Sequence, residues 1–143
     1  MTIKRRGSAE WKGGIRDGHG TISTETGALN AYPYGFASRF EGQRGSNPEE
    51  LLGAAHAACF SMALSLILGE AKLVAEQLQT SAEVTLEKLE TGFAITTIHL
   101  TLRARIPGAD GETFQKLAAA AKANCPVSKV LNAKITLDAA LVA

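Results

Sequence analysis

The residues that could do chemistry are few. Two cysteines, Cys59 and Cys125, are the whole thiol complement of a chain of 143 residues. A thiolate is a strong nucleophile and a two-electron reductant, so each cysteine is a candidate, but their sequence settings differ. Cys59 lies within AAHAACFSMAL, where a small buried hydrophobe is the simple reading. Cys125 precedes Pro126 at an expected helix start, where free N–H groups and the helix dipole favour a thiolate. The two form no CxxC pair. One thiol inside a helix and one at a helix start fits a redox pair, and the spacing leaves open whether the sulfurs meet.

Other polar residues attract notice. His56 and Cys59 are at i and i+3, one above the other on a helix. They could be two metal ligands, with Cys125, His19 or His99 as outside candidates. Structural zinc shows denser ligand spacing, so a satisfied core histidine is the simpler reading. Arg39 alternates with Phe40 in GFASRFEG and is expected on the opposite face of a strand. Glu49 and Glu50 sit where a helix begins.

The elements that must position these residues follow from periodicity. Lys4–Trp11, Gly20–Glu25 and Gly35–Glu41 read as short strands joined by glycine turns. Asn47 suits an N-cap, Pro48 the first helical position, and Glu50 the return half of a capping box. The helix runs to about Gly69 and is expected to be buried on nearly all sides. Lys72–Leu78 reads equally as helix or loop. Ala82, Val84 and Leu86 alternate, as do Ile98, Leu100, Leu102 and Ala104, which predicts a hairpin around Thr91-Gly92. A phase break near Thr96-Thr97 predicts a bulge. Asp110 opens a second helix that stops at Asn124, a short helix follows Cys125-Pro126, and Ile135, Leu137, Ala139 and Leu141 alternate in a last strand. This order predicts an α+β fold in one domain, residues 1–143.

Composition narrows the function classes. With 15 basic and 14 acidic residues, the formal charge is +1, so there is no net field to hold nucleic acid or an anionic membrane. Two cysteines are too few for a disulfide-stapled secreted scaffold. Leu51–Leu68 has the length of a membrane span but is rich in Ala, Gly and Ser, so a core helix is expected and no membrane partner. The first residues, MTIKRRGSAEWKGG, have a basic start with no apolar run behind it, unlike a signal peptide. The expected compartment is the reducing cytoplasm.

NPEELLGAAHAACFSMALSLILGEA and NCPVSKVL together resemble the osmotically inducible protein C (OsmC) and organic hydroperoxide resistance protein family. YGFASRFEG and ITLDAALV add to the likeness, which covers essentially the whole chain and is closest to the OsmC branch. The resemblance implies an OsmC-like α+β fold: antiparallel sheets around a long central helix, in an intertwined homodimer with active sites at the subunit interface. It implies a thiol peroxidase, with no cofactor or metal, that reduces organic hydroperoxides to alcohols. By motif position Cys59 is then the attacking thiol and Cys125 the resolving thiol. Arg39 is the catalytic arginine and Glu49 the carboxylate that holds it. The implied reductant is a dithiol, with lipoyl-type dithiols as the family precedent. The residues alone favour Cys125 as the attacking thiol, because it sits at a helix start.

Helix geometry adds one expectation. Glu49 and Cys59 are ten residues apart, about 15 Å along a continuous helix. An arginine touching Glu49 of its own chain would struggle to reach Cys59 too, so each site is expected to draw Glu49, and Arg39 with it, from the partner chain. Two other functions fit the same residues: a non-enzymatic thiol sensor, or a lipid or acyl-group binder beside the apolar helix.

Overall fold

The structure is a computed structural model describing residues 1–143. It has two three-stranded sheets and a long central helix in a mixed α+β arrangement. The chain divides into two compact units, Met1–Leu51 and Leu52–Ala143.

In the first unit, β1 (Gly7–Lys12) pairs antiparallel with β2 (His19–Thr24), which pairs antiparallel with β3 (Tyr32–Tyr34). Gly20 allows this sheet to close. A Cβ there would lie 2.5 Å from the Glu10 carbonyl and within 2.8 Å of the Tyr34 and Trp11 rings, which pack at 5.5 Å between centroids. The segment expected as a third strand, Gly35–Glu41, instead contains the helix α1 (Phe36–Phe40). Ser38 accounts for the difference: its hydroxyl accepts from the Gly35 N–H and donates to the Gly35 carbonyl, both at 3.0 Å, closing a turn that alternation cannot reveal.

Helix α2 (Pro48–Glu70) begins as its sequence dictates. Asn47 Oδ1 accepts from the Glu50 N–H at 2.8 Å, and Pro48 takes the first helical position. Glu50 stays exposed, and only the Asn47 half of the capping box forms.

In the second unit, β4 (Gln77–Leu89) and β5 (Gly92–Arg105) form the expected hairpin. The register shifts between Thr85 and Leu86: Thr85 faces Thr97 and Leu86 faces Ile95, so Thr96 is the extra residue of the bulge. The chain then passes through α3 (Gly111–Asn124) and α4 (Pro126–Val130) to β6 (Lys134–Leu141). Here the expectation of purely antiparallel sheets fails, because β6 runs parallel to β5. The two helices carry the chain back before β6 starts, and such a crossover delivers a parallel strand. Lys72–Glu76 is a connection, turned by Lys72 at φ 61°.

The core of this unit packs Phe60, Leu64 and Leu68 of α2 against Ile98, Leu100, Leu102 and Ala104 of β5 and Phe114, Ala118 and Ala121 of α3. Gly53 permits a close approach of α2 to the sheet, since a Cβ there would lie 3.1 Å from the Ala82 carbonyl. The opposite side of α2 is bare. Met62 and Leu66 are 77% and 67% exposed, and Ala54 and Ala58 continue their stripe at four-residue spacing. The helix is apolar all round but buried on one side, unlike the expected all-round burial. By length and composition alone it could cross a membrane.

Candidate active site

The second unit brings the two cysteines together. Cys59 is half-buried on α2, and Cys125 is fully buried at the N-cap of α4. The thiols are free, and each acts on the other's ionisation through a side-chain contact. Burial pushes the Cys59 thiol up, and its contact with Cys125 adds to this, against a smaller opposing pull from the Val127 N–H. Burial also pushes Cys125 up. Its contact with Cys59, the N–H and hydroxyl of Ser128 and the Val127 N–H outweigh that, and Cys125 ends below the ordinary thiol range. The helix start expected to acidify Cys125 is thus a secondary influence, the Ser128 and Val127 N–H groups adding to the larger effect of the Cys59 contact, and within the chain the negative charge of the pair favours Cys125.

His56 lies on the buried side of α2. Its Nε2 is 2.7 Å from Ser128 Oγ, and its Nδ1 is buried without a partner. Burial lowers its pKa. The histidine pairs with the serine of CPVS, and no group of three His, Cys, Asp or Glu side chains converges as metal ligands would. His99 is far along β5, held by Thr136 and Asp138.

The first unit builds the arginine. Arg39 stands on α1 and donates from Nε and Nη2 to one oxygen of Glu49, at 3.1 and 2.8 Å. A polar knot fixes the two. The single Ser38 hydroxyl hydrogen is shared between the Gly35 and Ser46 carbonyls, each 3.0 Å away, Ser46 Oγ donates to the Pro33 carbonyl, and Asn47 Nδ2 donates to the Ser38 carbonyl. Beside Arg39 lies a cavity of about 220 Å³ walled by Trp11, Ile15, Tyr34, Phe36 and Phe40. Sequence reading missed this aromatic wall, because β3 and α1 shape it and neither shows in the alternation. It also missed Ser128, although its place three residues after an N-cap is where helix-start donors gather.

Two free thiols in contact on an α+β framework are the arrangement of a thiol redox protein. The chain belongs to the OsmC family: the family model described as OsmC-like protein matches residues 40–140. It is 58% identical to the peroxiredoxin OsmC of Escherichia coli over 138 residues, 96% of each chain. The crystal structure of the organic hydroperoxide resistance protein OhrB of Bacillus subtilis superposes with a TM-score of 0.68 at 32% identity, covering 94% of this chain and 97% of that one. An organic hydroperoxide resistance protein OsmC from Legionella pneumophila gives a TM-score of 0.70 at 28% identity, covering 98% and 100%.

Proposed function

We propose that this protein is a thiol-dependent peroxidase that reduces organic hydroperoxides to alcohols, with Cys59 as the attacking thiol and Cys125 as the resolving thiol. The contact between the two free thiols carries this reading. The Cys59 thiolate attacks the O–O bond of the hydroperoxide, which releases the alcohol and leaves Cys59 as a sulfenic acid. Cys125 condenses with that sulfenic acid, giving a Cys59–Cys125 disulfide and water before a second peroxide can overoxidise Cys59. A dithiol, of lipoyl type by family precedent, then reduces the disulfide by exchange.

The working unit of this reading is a homodimer in which each site combines the two cysteines of one chain with Arg39 and Glu49 of the other. Four observations support it. Arg39 and Glu49 pair within one chain, so they travel together. Glu49 and Cys59 stand about 15 Å apart along one helix. Cys59 is pushed up, so it needs a nearby cation to become the stronger thiolate. The apolar stripe Ala54, Ala58, Met62 and Leu66 is open for a symmetry mate. The guanidinium would also stabilise charge on the departing oxygen. The aromatic cavity beside it suits an alkyl or aryl group. The compartment that fits two free, recycled thiols is the cytoplasm.

The test is steady-state consumption of cumene hydroperoxide with dihydrolipoamide or dithiothreitol as reductant. Wild type should turn over many equivalents and Cys59→Ser none. Cys125→Ser should complete one oxidation and stall as a sulfenic acid. Activity retained in Cys59→Ser and lost in Cys125→Ser would reverse the two roles. A single stoichiometric oxidation in wild type would favour a sensor, and no oxidation a ligand binder.

A further inference from the structure

Cys125 must be a thiolate at the moment it attacks the Cys59 sulfenic acid, yet it is fully buried. Two polar side chains stand behind it that the reading above does not use. Ser128 follows Cys125 by three residues, at the third position of the helix that Cys125 caps, and its hydroxyl and N–H both act on the Cys125 sulfur. His56, 72 positions away in sequence and fully buried, brings Nε2 to 2.7 Å from Ser128 Oγ.

We propose that Ser128 is a catalytic residue of the resolving step and that His56 is its positioning residue, the His56 Nε2–H donating to Ser128 Oγ and the fixed hydroxyl donating to the Cys125 thiolate. This rests on the peroxidase reading above. A serine hydroxyl has one hydrogen. When that hydrogen points at the sulfur, Oγ must accept from His56, which fixes the hydrogen of the neutral imidazole on Nε2. Burial favours the neutral imidazole. His56 makes its one hydrogen bond to Ser128, since Nδ1 has no partner. The titratable groups facing Cys125 are Cys59 and, through Ser128, His56. Cys125 belongs to the buried apolar cluster that also holds Ala118 and Ala121.

The step balances. The Cys125 sulfur gives an electron pair to the sulfenic sulfur of Cys59, so the S–S bond forms and the S–O bond breaks. Cys125 is oxidised and the sulfenic sulfur reduced. The departing hydroxide takes up a proton from solvent, equal to the one Cys125 released on ionising, and leaves as water.

Two measurements test it. First, thiolate absorbance is titrated in Cys59→Ser, which isolates Cys125. Adding Ser128→Ala should raise the Cys125 midpoint by about one pH unit or more, the worth of one hydrogen bond to a charged group. Adding Ser128→Thr, which keeps the hydroxyl, should restore it, and His56→Leu should raise it partway. Second, the single variants receive one equivalent of cumene hydroperoxide. Ser128→Ala should form sulfenic acid at the wild-type rate but close the disulfide about tenfold more slowly, with its pH profile moved upward and more sulfinic acid formed. An unshifted midpoint, or Ser128→Thr behaving like Ser128→Ala, overturns the proposal. Wild type that forms no sulfenic acid, with the midpoint shift intact, overturns the peroxidase reading and leaves the hydrogen-bond chain standing.

Discussion

Arg39 sets both Nε and Nη2 on one oxygen of Glu49, and the other oxygen of that carboxylate is buried with no partner. A fork on two carboxylate oxygens would satisfy both ends, whereas this one leaves an acceptor unused. The guanidinium is one-third exposed and the carboxylate largely buried, so Glu49 acts as the anchor and Arg39 as the presented group. Lysine in place of arginine keeps the charge but loses the planar fork. We expect Arg39→Lys to lower kcat/KM for cumene hydroperoxide about 100-fold, the scale of losing one charge-stabilising donor. Glu49→Gln keeps the shape of the anchor and should cost less, about tenfold. Wild-type kinetics in Arg39→Lys would reduce the pair to a structural link.

The origin of Arg39 can be read by complementation. Arg39→Lys chains carry an intact Cys59, and Cys59→Ser chains carry an intact Arg39. If each site takes its arginine from the partner, a mixed dimer holds one complete site. Refolding equal amounts of the two inactive variants together should then restore roughly a quarter of wild-type activity, since half of the dimers are mixed and each has one working site. If the arginine serves its own chain, the mixture stays inactive.

The two sides of α2 should respond differently to substitution. Phe60 is fully buried, so Phe60→Ala leaves a cavity and should cost about 3–5 kcal/mol in urea denaturation. Met62 and Leu66 are largely exposed in the single chain. If this face is the seam of the proposed homodimer, Met62→Glu with Leu66→Glu should leave the secondary structure intact, sediment as a monomer where wild type sediments as a dimer, and abolish turnover. A double variant that still sediments as wild type would remove α2 from the interface.

What sequence alone could reveal follows from how local each cause is. The starts of α2 and α3 were legible because Asn47-Pro48 and Asp110 are caps, and the observed bonds are to residues three positions on. The hairpin was legible from alternation. Arg39 was misplaced on a strand because α1 is closed by Ser38, whose bonds reach Gly35 and Ser46, and alternation carries no trace of such a knot. The direction of β6 was hidden because it is set by the crossover length through α3 and α4. The exposed stripe of α2 was hidden because its residues are as apolar as the buried ones. The place of Cys125 at a helix start was legible from Pro126, but the His56–Ser128 hydrogen bond spans most of the second unit and only the fold makes it.

His56 gives the stability a pH dependence. Its folded pKa is lowered by burial, so the fold prefers the neutral ring. The unfolded chain binds a proton near pH 6.5, and the native state does so only further down. The stabilisation is present above about pH 6.5 and is lost as pH falls toward the lower folded value. Asp110, whose carboxyl is held down first by the Thr113 N–H, loses its contribution in a separate and more acidic range. The urea midpoint should therefore fall between about pH 7.5 and about pH 5 in wild type and fall less in His56→Gln. Parallel pH profiles would remove His56 as the cause.

The aromatic cavity should set the choice of peroxide. Phe36 and Phe40 pack at 4.9 Å between centroids, and both line the space with Trp11, Ile15 and Tyr34 beside Arg39. An aryl or long alkyl hydroperoxide can fill about 220 Å³ of apolar space, and hydrogen peroxide cannot. Wild type should show a kcat/KM for cumene hydroperoxide well above that for hydrogen peroxide. Phe36→Ala removes part of the wall that only the organic substrate touches. It should lower kcat/KM for cumene hydroperoxide about tenfold or more, within the worth of a lost hydrophobic contact, and leave hydrogen peroxide nearly unchanged. Gly20→Ala, which forces Trp11 and Tyr34 apart, should shift the same ratio in the same direction. Equal losses for both peroxides would move the substrate pocket away from this wall.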